Sequence, residues 1–199
     1  MTEKLDTTIR QEQILQTALE LVGRHGLRGL NVGAVARQIG LVPSAIYRHF
    51  RSKDQVVDGI LGLIRERLLE NIRLAEEEGL DALQGLNRLL MRHIRLIREN
   101  KGILSLIFSE EIFSRFPERR ARVYGIIKEY LQAVAAIVRQ GQQEGKIRTE
   151  LTPEMLAVMF LGLIQPAVIL WHLSDGNFDL TWQAEAAWQV FSAAIGQEK

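Results

Sequence analysis

NVGAVARQIGLVPSAIYRHFRSK, residues 31–53, reads as two short helices around a tight glycine turn, followed by a basic helix start. Counted from Val32, small Ala36 stands at the fifth position, Gly40 at the ninth and Ile46 at the fifteenth, with Val35, Ile39, Leu41 and Phe50 as further apolar points. Ala36 lets the second helix lie close across the first, and Gly40 supplies the positive φ that a turn of three or four residues needs. Ile46 and Phe50, one helical turn apart, seal the second helix onto a core. Asn31 is a good N-cap for the first helix, and Pro43 suits the first position of the second, where its missing N–H costs nothing. Pro43, Ser44, Tyr47 and Arg48 are left facing outward. This is the spacing of a helix-turn-helix that docks on DNA.

Charge agrees. From Leu21 to Lys53 there is no Asp or Glu, while Arg24, Arg28, Arg37, Arg48, Arg51 and Lys53 supply cations beside His25 and His49. Residues 1–53 carry 8 basic against 4 acidic groups and the remainder 17 against 20, although the whole chain is nearly balanced at 25 and 24. The N-terminal part suits a phosphate backbone and the rest does not. Ser52 with Gln55 forms a capping box for the next helix. Lys53 in that first turn opposes the helix macrodipole, at a cost of a few tenths to about 1 kcal/mol. A DNA phosphate held there by the backbone N–H groups and Lys53 offsets that cost; a solvated surface lysine is the alternative.

These residues resemble the TetR family of transcriptional repressors. The resemblance rests on Arg10, Ile14, Ala18 and Gly26, on Val35-Ala36, Gly40-Leu41 and Ile46-Tyr47-Arg48-His49-Phe50, and on Ser52-Lys53, and it covers about residues 8 to 60. It implies a helix-turn-helix DNA-binding domain over residues 1–53 and a helical ligand-binding and dimerisation domain over 54–199. It also implies roles. Asn31 caps its helix and touches phosphate, Pro43, Ser44 and Ala45 face base edges, and Tyr47, His49 and Lys53 hold the backbone. Two positions depart from the family pattern: Asn31 replaces the common threonine, and Val42 replaces the serine or threonine that caps the recognition helix. Val42 cannot cap, which forfeits about 1 kcal/mol. At the groove, Val42 and Pro43 can instead meet thymine methyl groups, and Arg48 a guanine or a phosphate.

The whole chain reads as all-α, with about nine helices. A first helix opens at a Thr8/Gln11 capping box and ends at Gly23 or Gly26; others are expected near 53–77, 81–99, 102–114, 117–143, 153–174 and 179–196. With 47% apolar residues the chain can build a full core. It has no cysteine, which excludes disulfides and thiol chemistry and suits the cytoplasm. MTEKLDTTIRQEQ lacks the apolar run of a secretory signal.

Met155–Leu173, MLAVMFLGLIQPAVILWHL, is apolar nearly all round and long enough almost to cross a bilayer. Gln165 and Pro166 near its middle and the acidic flanks Glu154 and Asp175 argue instead for a helix buried on every side, by its own domain and by a partner. In the last helix Trp182, Ala186 and Val190 line one face, while Ala184, Ala187, Trp188, Phe191 and Ile195 line another. Two apolar faces ask for a homodimer built as a four-helix bundle, with Leu161, Val168, Trp182, Ala186, Trp188 and Val190 as candidate interface residues. Two recognition helices then read half-sites of a double-stranded operator about one DNA turn apart.

The resemblance implies a small-molecule effector in the C-terminal helices. Met91, Phe108, Phe113, Tyr124, Gln165 and Trp171 are candidates for its site, as aromatic, soft or lone polar groups among apolar positions, and they suit an apolar or amphipathic ligand. Pro166 opens the helix beside Gln165. No catalytic residue, metal ligand or cofactor motif stands out. The four histidines, His25, His49, His93 and His172, have no metal-ligand spacing, and no nucleophile elbow, phosphate loop or dinucleotide fingerprint is present. The competing reading is a helical ligand sensor or adaptor without specific DNA binding, at which uncapped Val42 hints.

Overall fold

A computed structural model describes residues 7–197, apart from the side chains of 113 and 114. Among the described residues there are nine α-helices, one π-helical turn and no strand, with a single antiparallel bridge between Ile147 and Gly196. The helices are α1 Thr7–His25, α2 Val32–Gln38, α3 Pro43–Tyr47, α4 Lys53–Glu77, α5 Ala82–Glu99, α6 Gly102–Ile107, α7 Pro117–Gln143, α8 Pro153–Leu173 and α9 Leu180–Ile195; the π-helical turn is Glu111–Arg115.

Most boundaries follow local chemistry. Thr152 Oγ1 accepts from the Met155 N–H (3.3 Å) ahead of Pro153, and Asp179 Oδ1 accepts from the Trp182 N–H (3.0 Å). Two expectations shift. Helix α1 already includes Thr7, so Thr8 lies inside its first turn rather than capping it. The helix expected over 102–114 breaks after Ile107, where Ser109 Oγ accepts from the Ile112 N–H (3.4 Å) and offers the backbone a local alternative to the helical ladder.

The chain forms two compact units, with boundaries inside α4, at the end of α5 and inside α7. The first runs to Glu66 and includes Asn100–Tyr124. Its core gathers Ile14, Ala18, Val22, Val35, Ala36 and Ile46, all sealed from solvent. In it α1 packs on α6 and α2, and α2 on α3. The α1–α6 crossing is glycine to glycine: a Cβ on Gly23 would stand 2.9 Å from the Gly102 nitrogen, and one on Gly102 would fall on the Leu19 carbonyl oxygen.

The second unit holds Arg67–Glu99 and Gly125 onward. There α9 packs against both α8 and α5. Leu156, Ala157, Phe160, Ile164, Ala167, Val168 and Trp171 form the inner face of α8. The helix is 21 residues long with mean hydropathy 2.0, enough by length and composition to cross a membrane. Its opposite face is not covered in the single chain: Met155, Val158, Met159, Ile169, Leu170 and Leu173 are exposed, as are Trp182 and Val190 of α9. Val168 is enclosed by its own unit, at 2% exposure, and so is not available to a partner. Leu161, Ala186 and Trp188 are half-buried.

Inside this unit His93 of α5 and Tyr130 of α7 are buried together, with His93 Nδ1 and the Tyr130 hydroxyl 3.0 Å apart. Burial lowers the His93 pKa to about 4 and raises that of Tyr130. The unfolded imidazole takes its proton near pH 6.5 and the folded one only near 4, so between those values the unfolded state binds more protons. Stability is therefore whole above pH 6.5 and is lost as the pH falls towards 4, with a slope from this group of up to about 1.4 kcal/mol per pH unit. Urea unfolding from pH 7 to 4.5 should show that slope in the wild type, and His93→Gln should flatten it.

Candidate nucleic-acid interface

The helix-turn-helix is assembled by caps and one turn. Asn31, extended at φ −131°, accepts through Oδ1 from the N–H groups of Gly33 (2.7 Å) and Ala34 (3.4 Å), which starts α2. Gly40 takes φ +69°, so the chain reverses within Ile39–Val42. Val42 precedes α3 with no side-chain cap, and Pro43 holds the first position. Buried Ile46 anchors α3 from beneath. Ser52 Oγ accepts from the Gln55 N–H (3.2 Å), and Gln55 Oε1 reaches back to the Arg51 N–H (2.7 Å), one residue beyond the usual partner.

This frame leaves Asn31, Val42, Pro43, Ser44, Tyr47 and Arg48 exposed and Ala45, His49 and Lys53 half-buried. They occupy α3, its two flanks, and the starts of α2 and α4, within one compact unit. Val42 is 63% exposed, with the extended backbone (φ −87°, ψ 149°) that a capping serine requires. Val42→Ser should therefore add about 1 kcal/mol and raise the thermal midpoint by about 2–4 °C in calorimetry.

Carboxylates also come to this surface, which the acid-free run of sequence concealed. Arg28, between α1 and α2, pairs with Glu110 and with Glu111 (3.3 Å), whose side chain is mostly buried. The Lys53 ammonium donates to the Arg28 carbonyl (3.3 Å). Arg119, 6% exposed, binds Asp54 Oδ1 at 2.6 Å and Asp58 Oδ1 at 3.4 Å. Burial alone would lower its pKa, but the Asp54 and Asp58 carboxylates hold it above the ordinary arginine value. Its guanidinium also lies 4.5 Å from the Phe116 ring centroid. Arg28, Lys53, Asp54, Glu111, Arg115 and Arg119 thus line a cavity of about 390 Å³ behind the α4 start. These pairs neutralise Asp54 and Asp58, so that Lys53 presents its charge without two adjacent anions to cancel it. Their partners are 61 to 83 residues apart in sequence, and no local pattern announces them.

The candidate effector residues scatter more widely. Phe108 and Tyr124 are exposed in the first unit; Gln165 is exposed and Trp171 buried in the second. The side chain of Phe113 lies outside the described residues. Half-buried Met91 lines a cleft of about 450 Å³ with Ile94, Arg95, Arg98, Glu99 and Thr181. Among the described residues no group of three or more His, Cys, Asp or Glu side chains is placed to hold a metal ion.

Residues 14–60 match the family described as bacterial regulatory proteins, tetR family, and residues 64–194 match the C-terminal region of YsiA-like proteins. The fatty acid metabolism regulator protein of Bacillus subtilis (strain 168) is 25% identical over 186 residues, covering 92% of this chain and 94% of its own. The nucleoid occlusion factor SlmA of Vibrio vulnificus (strain YJ016) is 24% identical over 188 residues, covering 94% and 95%. The crystal structure of the transcriptional regulator FadR from Bacillus subtilis in complex with stearoyl-CoA superimposes with a TM-score of 0.76 at 24% identity, covering 92% of this chain and 98% of that one.

Proposed function

The chain belongs to the TetR family of DNA-binding transcriptional regulators, and from that premise we propose that it is a homodimeric repressor released from a palindromic operator by an amphipathic small molecule of the fatty-acyl thioester class. The observation that carries the dimer is the exposed apolar surface of α8 and α9. Met155, Val158, Met159, Ile169, Leu170 and Leu173 fall in one stripe along α8, and Trp182 and Val190 add to it from α9. Water is a poor neighbour for so continuous an apolar face, and two copies related by a two-fold axis cover it as a four-helix bundle. Gln165 lies within the same stripe, so we assign it to the subunit face rather than to the effector. Covering by a second chain also accounts for α8 without placing it in lipid.

The DNA contacts follow from exposure and chemistry. Val42, Pro43, Ser44 and Ala45 meet base edges, Arg48 a guanine or a phosphate, and Asn31, Tyr47, His49 and Lys53 the backbone. The ligand class is supported by the likeness to a regulator of fatty acid metabolism and to a stearoyl-CoA complex of the same fold. A ligand relieves repression only if it binds the conformer with the wrong half-site spacing more tightly; a hundredfold weakening needs about 2.7 kcal/mol of coupling.

The deciding experiment is selection of binding sites from random duplex DNA by the purified protein, with its mass measured by sedimentation. A two-fold palindrome bound by a dimer is the expected result. A monomer that enriches no site would overturn the proposal in favour of an adaptor.

A further inference from the structure

Arg119 is placed against two ordinary preferences. It stands in the first turn of α7, where a cation opposes the helix dipole, and it is 6% exposed, where a charge is costly unless paired. It also lies outside residues 14–60, the stretch that matches the DNA-reading family. What answers it is α4. Its Nη2 donates to Asp54 Oδ1 at 2.6 Å and its Nε to Asp58 Oδ1 at 3.4 Å, while the guanidinium rests 4.5 Å from the Phe116 ring centroid. All of these residues belong to the first compact unit.

The two carboxylates are not equivalent. Asp54 directly follows Lys53, in the first turn of the helix that Ser52 caps. An acid there suits the positive end of the α4 dipole, which accounts for its value to the fold. The same helix end is where the proposed DNA phosphate is held by backbone N–H groups and Lys53. Asp54, with its side chain 68% exposed, and that phosphate are therefore like charges at one site. Asp58 lies a turn further along α4 and has a second cation, Arg122, at 3.8 Å. Among the described residues Arg119 is the one cation paired with Asp54.

We propose that Arg119 is a positioning residue for DNA binding: by holding the Asp54 carboxylate it leaves Lys53 as the uncancelled charge at the start of α4, and so sets the affinity for duplex DNA without touching it. The inference rests on the contact between Lys53 and phosphate proposed above. It adds that this contact is controlled from the first turn of α7, 65 residues along the chain from Asp54. A hydrogen bond of 2.6 Å tolerates little displacement. Movement of that turn away from α4 returns a free carboxylate to the phosphate, and DNA is released by repulsion rather than by any change in the recognition helix.

The test measures binding of a mixed-sequence DNA duplex by the full-length protein, using fluorescence anisotropy at several salt concentrations, with melting curves alongside. Arg119→Met keeps a soft side chain against Phe116. It should weaken binding about tenfold for a dimer and lower the slope of log K against log salt by up to about 1.8. Arg119→Met/Asp54→Asn should return to within about twofold of the wild type. Arg119→Met/Asp58→Asn has the same net charge and should stay weak. Undiminished affinity in Arg119→Met overturns the proposal. So does equal recovery in both double variants, which reads net charge alone, or recovery in neither, which reads packing alone. Should Arg119→Met not fold, Arg119→Lys keeps the charge but not the fork that spans two carboxylates, and a smaller loss, again reversed by Asp54→Asn, is expected. If Lys53→Ala alters the salt slope and Arg119→Met does not, the phosphate contact stands and the positioning role falls; an unchanged slope in Lys53→Ala is the failure of the contact itself.

Discussion

Gly102→Ala should destabilise the protein by about 3 kcal/mol or more and lower its thermal midpoint by about 6–12 °C. The added Cβ would fall on the Leu19 carbonyl oxygen, with the Leu19 carbonyl carbon and Cδ1 each 2.9 Å away. Two of those three atoms are backbone, so no rotamer change makes room; α6 must lift from α1. The facing glycine makes the problem symmetrical, since Gly23 already approaches Gly102 too closely for a side chain. Against a total stability of roughly 5–15 kcal/mol this is a large fraction. Gly85→Ala is the internal control. Gly85 lies within α5 and a Cβ there meets nothing within 4 Å, so the same chemical change should stabilise by about 0.5–1 kcal/mol through the helix's own preference. Differential scanning calorimetry of the two variants reads opposite signs if the α1–α6 crossing is as described; a neutral Gly102→Ala would refute it.

The second large effect concerns DNA, and it separates charge from hydrogen bonding. Lys53→Ala removes one cation per chain, so a dimer should lose about 1.8 from the slope of log K against log salt, with operator and random duplex affected alike. Tyr47→Phe removes a hydroxyl but no charge. It should leave the slope unchanged while costing about 1.5 kcal/mol per subunit, on the order of a hundredfold in affinity for two. Tyr47 is half exposed on α3, so its hydroxyl is free for a phosphate without folding depending on it. Lys53 also donates to the Arg28 carbonyl, and the melting curve of Lys53→Ala must accompany the binding data. A salt slope that Lys53→Ala does not change would remove it from the phosphate contacts.

Legibility differed from one element to the next for identifiable reasons. Asn31, Gly40, Pro43 and the Ser52/Gln55 pair act on backbone within four residues of themselves, so their pattern in the sequence is already their geometry. Helix α7 came out at the expected limits because Pro117 and Gly145, the latter at φ +66°, punctuate the chain without help from tertiary contacts. The region after Gly102 did not, because Ser109 competes for the helical ladder and the outcome depends on what the segment packs against. The effector candidates were chosen as aromatic or soft residues, a criterion that cannot tell exposed Phe108 and Tyr124 from buried Trp171. His93 has no metal-ligand spacing in the sequence, and nothing there names a partner for it. Its significance appears only with Tyr130, 37 positions away, and periodicity along one helix says nothing about the polar group opposite on another.

By itself, then, the sequence determined an all-helical chain with an N-terminal helix-turn-helix, its caps, its turn glycine and its outward row from Val42 to Arg48, because these are set by short-range backbone chemistry and by the 3.6-residue period. Tertiary structure alone decided which carboxylates answer Arg28 and Arg119, that Val168 belongs to the inner face of α8 while Gln165 lies on the outer one, and that His93 meets Tyr130 in the core. Those outcomes depend on pairings between residues tens of positions apart, where any of several like residues would satisfy the sequence pattern and only packing selects one.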